Sequence, residues 1–209
     1  WGVGSKSRDK LNDLHIKNAL EFRNYKNTKL IQKIFTIVGR KIQEELCGTS
    51  RLQLSMEGQK KKEIISSRTF GTSIYDLKNL RESVANFATM SCEKLRAQNS
   101  VCSVVEVMIR TNPFKNVEQY DGYDYFKMQT HSSDTRKVIK YAWAVLDKLY
   151  KEGYEYKKSM VKISGIRDSS ERQLSLLENN ESAESEKLMA VVDQINRREG
   201  PDTIKSMAC

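Results

Sequence analysis

The 209-residue chain reads as an α+β protein. A small all-α helix-hairpin-helix unit is followed by a β-α-β-β-α-β domain whose four-stranded sheet carries two helices on one face. Three observations predict this. Apolar residues recur at spacings of three and four up to Leu46, the helical period. Beyond Lys62, short β-branched or aromatic runs alternate with two long helical patterns. With only 2 prolines and 10 glycines, the chain favours long regular elements over a turn-rich all-β fold. A hydrophobic share of 38% beside 30% charged residues supports a modest core, which excludes a wholly disordered chain. No run approaches the roughly 20 apolar residues that a membrane-spanning helix needs.

In the first region, 1–50, Leu11 and Leu14, then Ala19, Leu20 and Phe22, then Leu30, Ile31, Ile34, Phe35, Val38, Ile42 and Leu46 mark short helices, and Gly48 is the stop signal. Residues 51–61 lack periodicity and read as a linker. The domain at 62–166 opens with a strand over Glu63 to Phe70. Asp76 to Ala97 is a helix that puts Leu77, Leu80, Val84, Phe87, Ala88, Ser91 and Leu95 on one face. Val101 to Ile109 is a β-branched strand that ends before Asn112-Pro113. Tyr123 to Thr130 is the next strand, Asp134 to Lys151 a helix with Val138, Ala142, Val145, Leu146 and Leu149 inward, and Tyr154 to Ile163 the last strand. With both helices on one face, the other face of the sheet is bare and calls for a partner or a solvated polar surface. Residues 167–186 form an acidic segment, expected to be a mobile surface stretch, and 187–209 a C-terminal helix and tail through Leu188, Val191, Val192 and Ile195.

Charge narrows the partner class. The formal net charge is +9 and the isoelectric point near 9.3, which puts polyanions first. Between Asp168 and Glu186, the acids Asp168, Glu171, Glu178, Glu181, Glu184 and Glu186 face Arg172 alone, so the excess of positive charge falls on the rest of the chain. The four cysteines are scattered singly, with no Cys-x-x-Cys pair, and predict neither a zinc site nor a disulfide scaffold but a reduced, cytoplasmic interior. Trp1 opens a polar, glycine-containing run rather than a secretory signal, and the missing initiator Met suggests a chain that begins inside a longer protein.

Three motifs carry chemistry. Gly2-Val3-Gly4 before a helix lets the backbone approach a phosphate, with the helix amides aimed at the anion and Lys6 and Lys10 adding charge. The bland alternative, an ordinary interhelical turn, stands beside it. Lys62 leads into Ser66-Ser67-Arg68-Thr69, where alternation puts Ser67 and Thr69 on one face and Ser66 and Arg68 on the other. Hydroxyls and a guanidinium there, with Arg110, Thr111, Lys127, Lys157, Lys158 and Lys162 on or beside the other strands, suit phosphate oxygens without reading sequence. Solvated strand edges are the alternative. Gln173-Leu174-Ser175-Leu176-Leu177 exposes leucines inside the acidic segment, which fits either docking onto the protein's own core or a short linear peptide that anchors in a partner's pocket. No catalytic constellation or metal site is predicted: His15 and His131 are far apart, and no carboxylate pair stands out.

The strings Trp1-Gly2-Val3-Gly4, Glu63-Ile64-Ile65-Ser66-Ser67-Arg68-Thr69-Phe70-Gly71, Cys92-Glu93-Lys94-Leu95-Arg96, Ile109-Arg110-Thr111-Asn112-Pro113-Phe114, Gln173-Leu174-Ser175-Leu176-Leu177 and Leu188-Met189-Ala190-Val191-Val192-Asp193-Gln194-Ile195-Asn196 occur in one order. In that order they resemble the C-terminal half of UmuC-type Y-family DNA polymerases, the catalytic subunit of bacterial DNA polymerase V. The resemblance implies a thumb at 1–50 that grips the duplex through its hairpin amides and a little-finger domain at 62–166 that lays its open sheet along primer-template DNA. It implies that Gln173 to Leu177 is a peptide for the β sliding clamp, with Leu177 where the family often has Phe. It implies an SOS role in translesion synthesis, a UmuD-type accessory dimer and a recombinase filament as partners, and a bacterial cytoplasmic, nucleoid-associated location. The palm carboxylates and their Mg belong to a preceding part of the full-length parent, so no cofactor is expected in this fragment and it should be inactive alone. His15 stands where relatives commonly carry Gly; a positive φ there costs about 1 kcal/mol. The alternative class is a stand-alone protein-interaction module with a basic sheet surface. A third, an RNA-binding sheet, needs open-face aromatics, for which Tyr123 and Tyr125 are the candidates.

Overall fold

The computed structural model describes residues 2–51, 60–171 and 181–205. The chain divides into two compact units, residues 1–59 and 60–209, each considered by itself.

In the first unit, helices α1 (Ser5–Asp13), α2 (Ala19–Asn24) and α3 (Thr28–Leu46) close around Leu11, Ile16, Phe22 and Ile31. Asn18 and Asn27 cap α2 and α3 by accepting the Glu21 and Leu30 amides at 2.9 and 3.0 Å. Buried Gln43 on α3 donates its amide to the carbonyls of Phe22 and Tyr25 at 3.0 and 2.7 Å, which ties α3 to the end of α2. His15 has φ 59°, the left-handed conformation weighed above. One feature escapes the periodicity: α3 breaks at Thr36, with φ 63° and ψ −166°, a region essentially reserved for glycine. The apolar spacing continues across the break without marking it, although Val38 and Leu46 beyond it are exposed and Gly39 and Gln43 are the buried positions there.

The second unit follows the expected order: β1 (Ile64–Ile74), α4 (Leu77–Ala97), β2 (Ser100–Thr111), β3 (Asp121–Ser132), α5 (Thr135–Leu149) and β4 (Tyr156–Ser164). Two short-chain carboxylates start the helices. Asp76 accepts the Asn79 amide at 2.8 Å, and Asp134 accepts the Arg136 amide at 2.8 Å. The strands pair antiparallel in the order β1-β4-β2-β3. Both helices pack on one face over Val105, Val107, Ile109, Val161 and Ile163, and bury Leu80, Val84, Phe87, Ala88, Leu95, Val138, Ala142, Val145, Leu146 and Leu149. Phe126 of β3 stacks on Tyr141 of α5 with ring centres 4.4 Å apart. A two-residue strand, β5 (Arg167–Asp168), adds to β2 beside Ser100 and Val101, an addition too short for a sequence signal.

A last helix, α6 (Glu181–Glu199), starts earlier than the periodicity suggests and takes in the end of the acidic segment. Carboxylates in the first turns of a helix are favoured by its dipole, so this acidic stretch helps to start a helix rather than remaining coil. The helix docks by polar contacts. Asp193 forms a two-point pair with Arg96 of α4, both contacts at 2.7 Å, and Arg96 also donates to the Ser133 carbonyl and the Thr135 hydroxyl at 2.8 Å. Ser185 donates to Asp134 at 2.5 Å.

Candidate nucleic-acid interface

The register defines the uncovered face of the sheet row by row. Residues directly opposite across paired strands share a face, and successive rows on that face lie about 7 Å apart along the strands. Thr69, Lys158, Arg110 and Asp121 form one row. Ser67, Met160, Met108 and Tyr123 form the next, then Ile65, Lys162, Glu106 and Tyr125, then Ser164, Val104 and Lys127. Ser67, Thr69 and Lys127 are exposed, and Lys158 and Arg110 half-buried. Among the described residues, neither Lys158 nor Arg110 has an ion-pair partner. Lys62 lies exposed just before β1.

Four of the expected residues lie elsewhere. Ser66 is buried and accepts a hydrogen bond from Ser91 of α4 at 2.9 Å, so its hydroxyl is committed to the helix-covered side. Arg68 shares that side by register but is exposed, because β1 is an edge strand. Thr111 is 2% exposed, and its hydroxyl donates to Gln119 at 2.9 Å and accepts the Tyr120 amide at 3.0 Å, fastening the loop that joins β2 to β3. Lys157 sits at the irregularity where Arg110 pairs Lys158 and Thr111 pairs Tyr156, and its ammonium donates to the Gly71 carbonyl at 2.7 Å.

Lys162 is on the open face but not free. Its ammonium lies 3.2 Å from Glu106 and 3.3 Å from Glu63. Glu106 is only 5% exposed and also accepts the hydroxyls of Ser164, at 2.7 Å, and Tyr123. Burial alone raises the Glu106 pKa, but the hydrogen bonds from Tyr123, Ser164 and Lys162 outweigh it and hold the carboxyl below its ordinary value. The hydrogen bond to Glu106 in turn raises the Lys162 pKa. Sequence reasoning missed this network; the signal available was Glu106 alone among the apolar residues of Val101 to Ile109.

In the first unit, Gly2 has φ 85° and lies tight against Ile42, which a side chain would crowd. Gly4 precedes α1 in an extended conformation with no side-chain cap, and a Cβ there would meet nothing. The fold of the unit therefore does not require glycine at position 4, where an absent side chain leaves the α1 amides open to an approaching ligand. Val3, Lys6 and Lys10 are exposed. Gln173, Leu174, Ser175, Leu176 and Leu177 lie outside the described residues. Among the described residues, no group of three or more His, Cys, Asp or Glu side chains is placed to hold a metal ion, and no helix is long and apolar enough to cross a membrane.

A bare antiparallel face with a basic row, in a β-α-β-β-α-β unit behind a glycine-hairpin unit, is the arrangement that the sequence resemblance implies, and residues 61–176 match the impB/mucB/samB family C-terminal domain. The chain belongs to the impB/mucB/samB family. It is 34% identical over 206 residues to protein UmuC of Salmonella typhimurium strain LT2, covering 98% of this chain and 49% of that protein. It is 34% identical over 200 residues to protein MucB of Escherichia coli, covering 95% and 47%. Similarity extends to DNA polymerase IV of Clostridium acetobutylicum, 26% identical over 205 residues, covering 97% and 49%. The chain spans about half the length of the curated relatives it matches, and corresponds to the C-terminal region of the UmuC-type Y family.

Proposed function

We propose that this chain is the DNA-gripping and sliding-clamp-tethering part of an error-prone translesion DNA polymerase that acts in the SOS response to DNA damage. The observation that carries the reading is the row of Thr69, Lys158 and Arg110 on an uncovered sheet face, with two cations that have no ion-pair partner among the described residues. Such a row neutralises phosphates without reading bases. In the helical unit, the exposed Gly4 turn with Lys6 and Lys10 supports a second, backbone-directed contact. Gln173 to Leu177 is assigned to the β sliding clamp, and a UmuD-type dimer and a recombinase filament are partners by family resemblance. Metal-dependent nucleotidyl transfer, with its Mg, is assigned to the portion of the full-length parent outside this chain.

Primer-template DNA of unrelated sequences should bind with similar affinity, and log Kd should rise linearly with log salt. If Lys158→Ala with Arg110→Ala leaves both affinity and salt slope unchanged, the open-face assignment fails. Gln173→Ala with Leu176→Ala should abolish binding to the β clamp and spare DNA. In primer extension with Mg and nucleotides the chain should incorporate nothing above a blank.

A further inference from the structure

Backbone gripping leaves part of the open face without a role. Tyr123 and Tyr125 are 54% and 57% exposed and lie two residues apart on β3, so both belong to this face. The Tyr123 hydroxyl is held by Glu106, which also takes Ser164 and Lys162. One ammonium, Lys162, is thus shared by two carboxylates, Glu63 and Glu106, and a phosphate laid over that row would be repelled rather than bound. The adjoining row offers Met160, Met108 and Tyr123, which carry no charge. Cations flank these two rows on both sides: Lys158 and Arg110 about 7 Å beyond one, in a row that ends on the exposed Asp121 of β3 but keeps a net positive charge, and exposed Lys127 about 7 Å beyond the other. A strand whose phosphates rest on the flanking cations therefore sets an uncharged part over the methionines and tyrosines. That part is a base. Bases of a duplex are stacked on one another and have no free face to offer, so the fitting ligand is unpaired.

We propose that Tyr123 and Tyr125 form a base-stacking site for an unpaired nucleotide of single-stranded DNA, such as the overhang of a primer-template. The proposal rests on the DNA-binding reading of the same face and adds to it which part of the DNA lies where. Tyr125 carries the stack, since Tyr123 is tied to Glu106.

The test is the affinity of the chain, by fluorescence anisotropy, for three probes: a blunt duplex, the same duplex with a single-stranded overhang, and that overhang made abasic. The natural overhang should bind more tightly than the abasic one. Tyr125→Ala should erase that advantage, weakening the natural-overhang complex by about 5- to 100-fold while blunt-duplex affinity stays unchanged, as expected for loss of one stacked base. Tyr125→Phe, which keeps the ring, should retain it. Equal wild-type affinity for natural and abasic overhangs, an advantage that survives Tyr125→Ala, or a stronger preference for a ribonucleotide overhang would overturn the proposal. Lys158→Ala should weaken all three complexes; if it does not, the backbone-gripping reading is the one that fails.

Discussion

Two lysines four residues apart on the same strand and the same face should behave differently, and the difference follows from geometry. Lys158 has no acidic partner among the described residues, whereas Lys162 is held by Glu106 and Glu63 at 3.2 and 3.3 Å beyond Met160. Each lysine that neutralises a phosphate adds about 0.9 to the slope of log affinity against log salt. Lys158→Ala should therefore flatten the slope by about 0.9, so that the affinity lost between 50 and 200 mM salt shrinks by about 3.5-fold. Lys162→Ala should leave the slope within error of wild type and act on stability instead. It strips Glu106, 5% exposed, of its counter-charge while Tyr123 and Ser164 remain. The Lys162 side chain is 21% exposed, so the cost is nearer the about 1–3 kcal/mol of an under-satisfied buried acceptor than that of a fully buried charge. In a unit of this size that lowers Tm by about 3–10 °C. Anisotropy titrations across a salt series, with thermal melts of the same samples, separate the two effects. An equal loss of slope in both variants would refute the neutralisation of Lys162.

Other expectations concern stability. Glu106 and Asp134 both have depressed pKa values: burial raises each, but hydrogen bonds, from Tyr123 and Ser164 to Glu106 and from Arg136 and Ser185 to Asp134, outweigh it. Stability from a depressed carboxylate is present above its ordinary pKa and lost as pH falls through the folded value, so Tm should drop below about pH 4 and drop less in Glu106→Gln; parallel acid profiles would contradict this. Arg96→Ala leaves Asp193 without its two-point partner, at a cost of about 3–5 kcal/mol, and should open α6 to trypsin at Lys187 and Arg197, with Arg96→Lys restoring little. Thr36→Gly relieves a glycine-type conformation and should stabilise the helical unit by about 1–2 kcal/mol in denaturant titrations, whereas an unchanged midpoint would argue against strain at Thr36.

The sheet domain was legible because its signals are redundant. The α4 and α5 core positions recur at helical spacing beside capping aspartates, and the β2 boundary coincides with Asn112-Pro113, so element order and layering follow from local pattern. The site was legible only in part. Alternation correctly paired Ser67 with Thr69 and Ser66 with Arg68, but it cannot say which pair faces the helices; the contact of Ser66 with Ser91 decides that. Nor does a lysine in a strand announce whether a carboxylate on the next strand neutralises it, since the partnership of Lys162 with Glu106 depends on register between strands some fifty residues apart in the chain. The polar docking of α6 was hidden for the same reason, since the pair of Asp193 with Arg96 is a tertiary contact that local propensity does not announce, and nothing in the apolar spacing marks the break at Thr36.

If the uncovered sheet face grips DNA, titration with primer-template DNA should perturb the amide chemical shifts of Ser67, Thr69, Met108, Arg110, Lys158 and Tyr125 and leave α5 and α6 silent. Perturbations confined to the α4 and α5 side, with the open face unchanged at saturation, would contradict it.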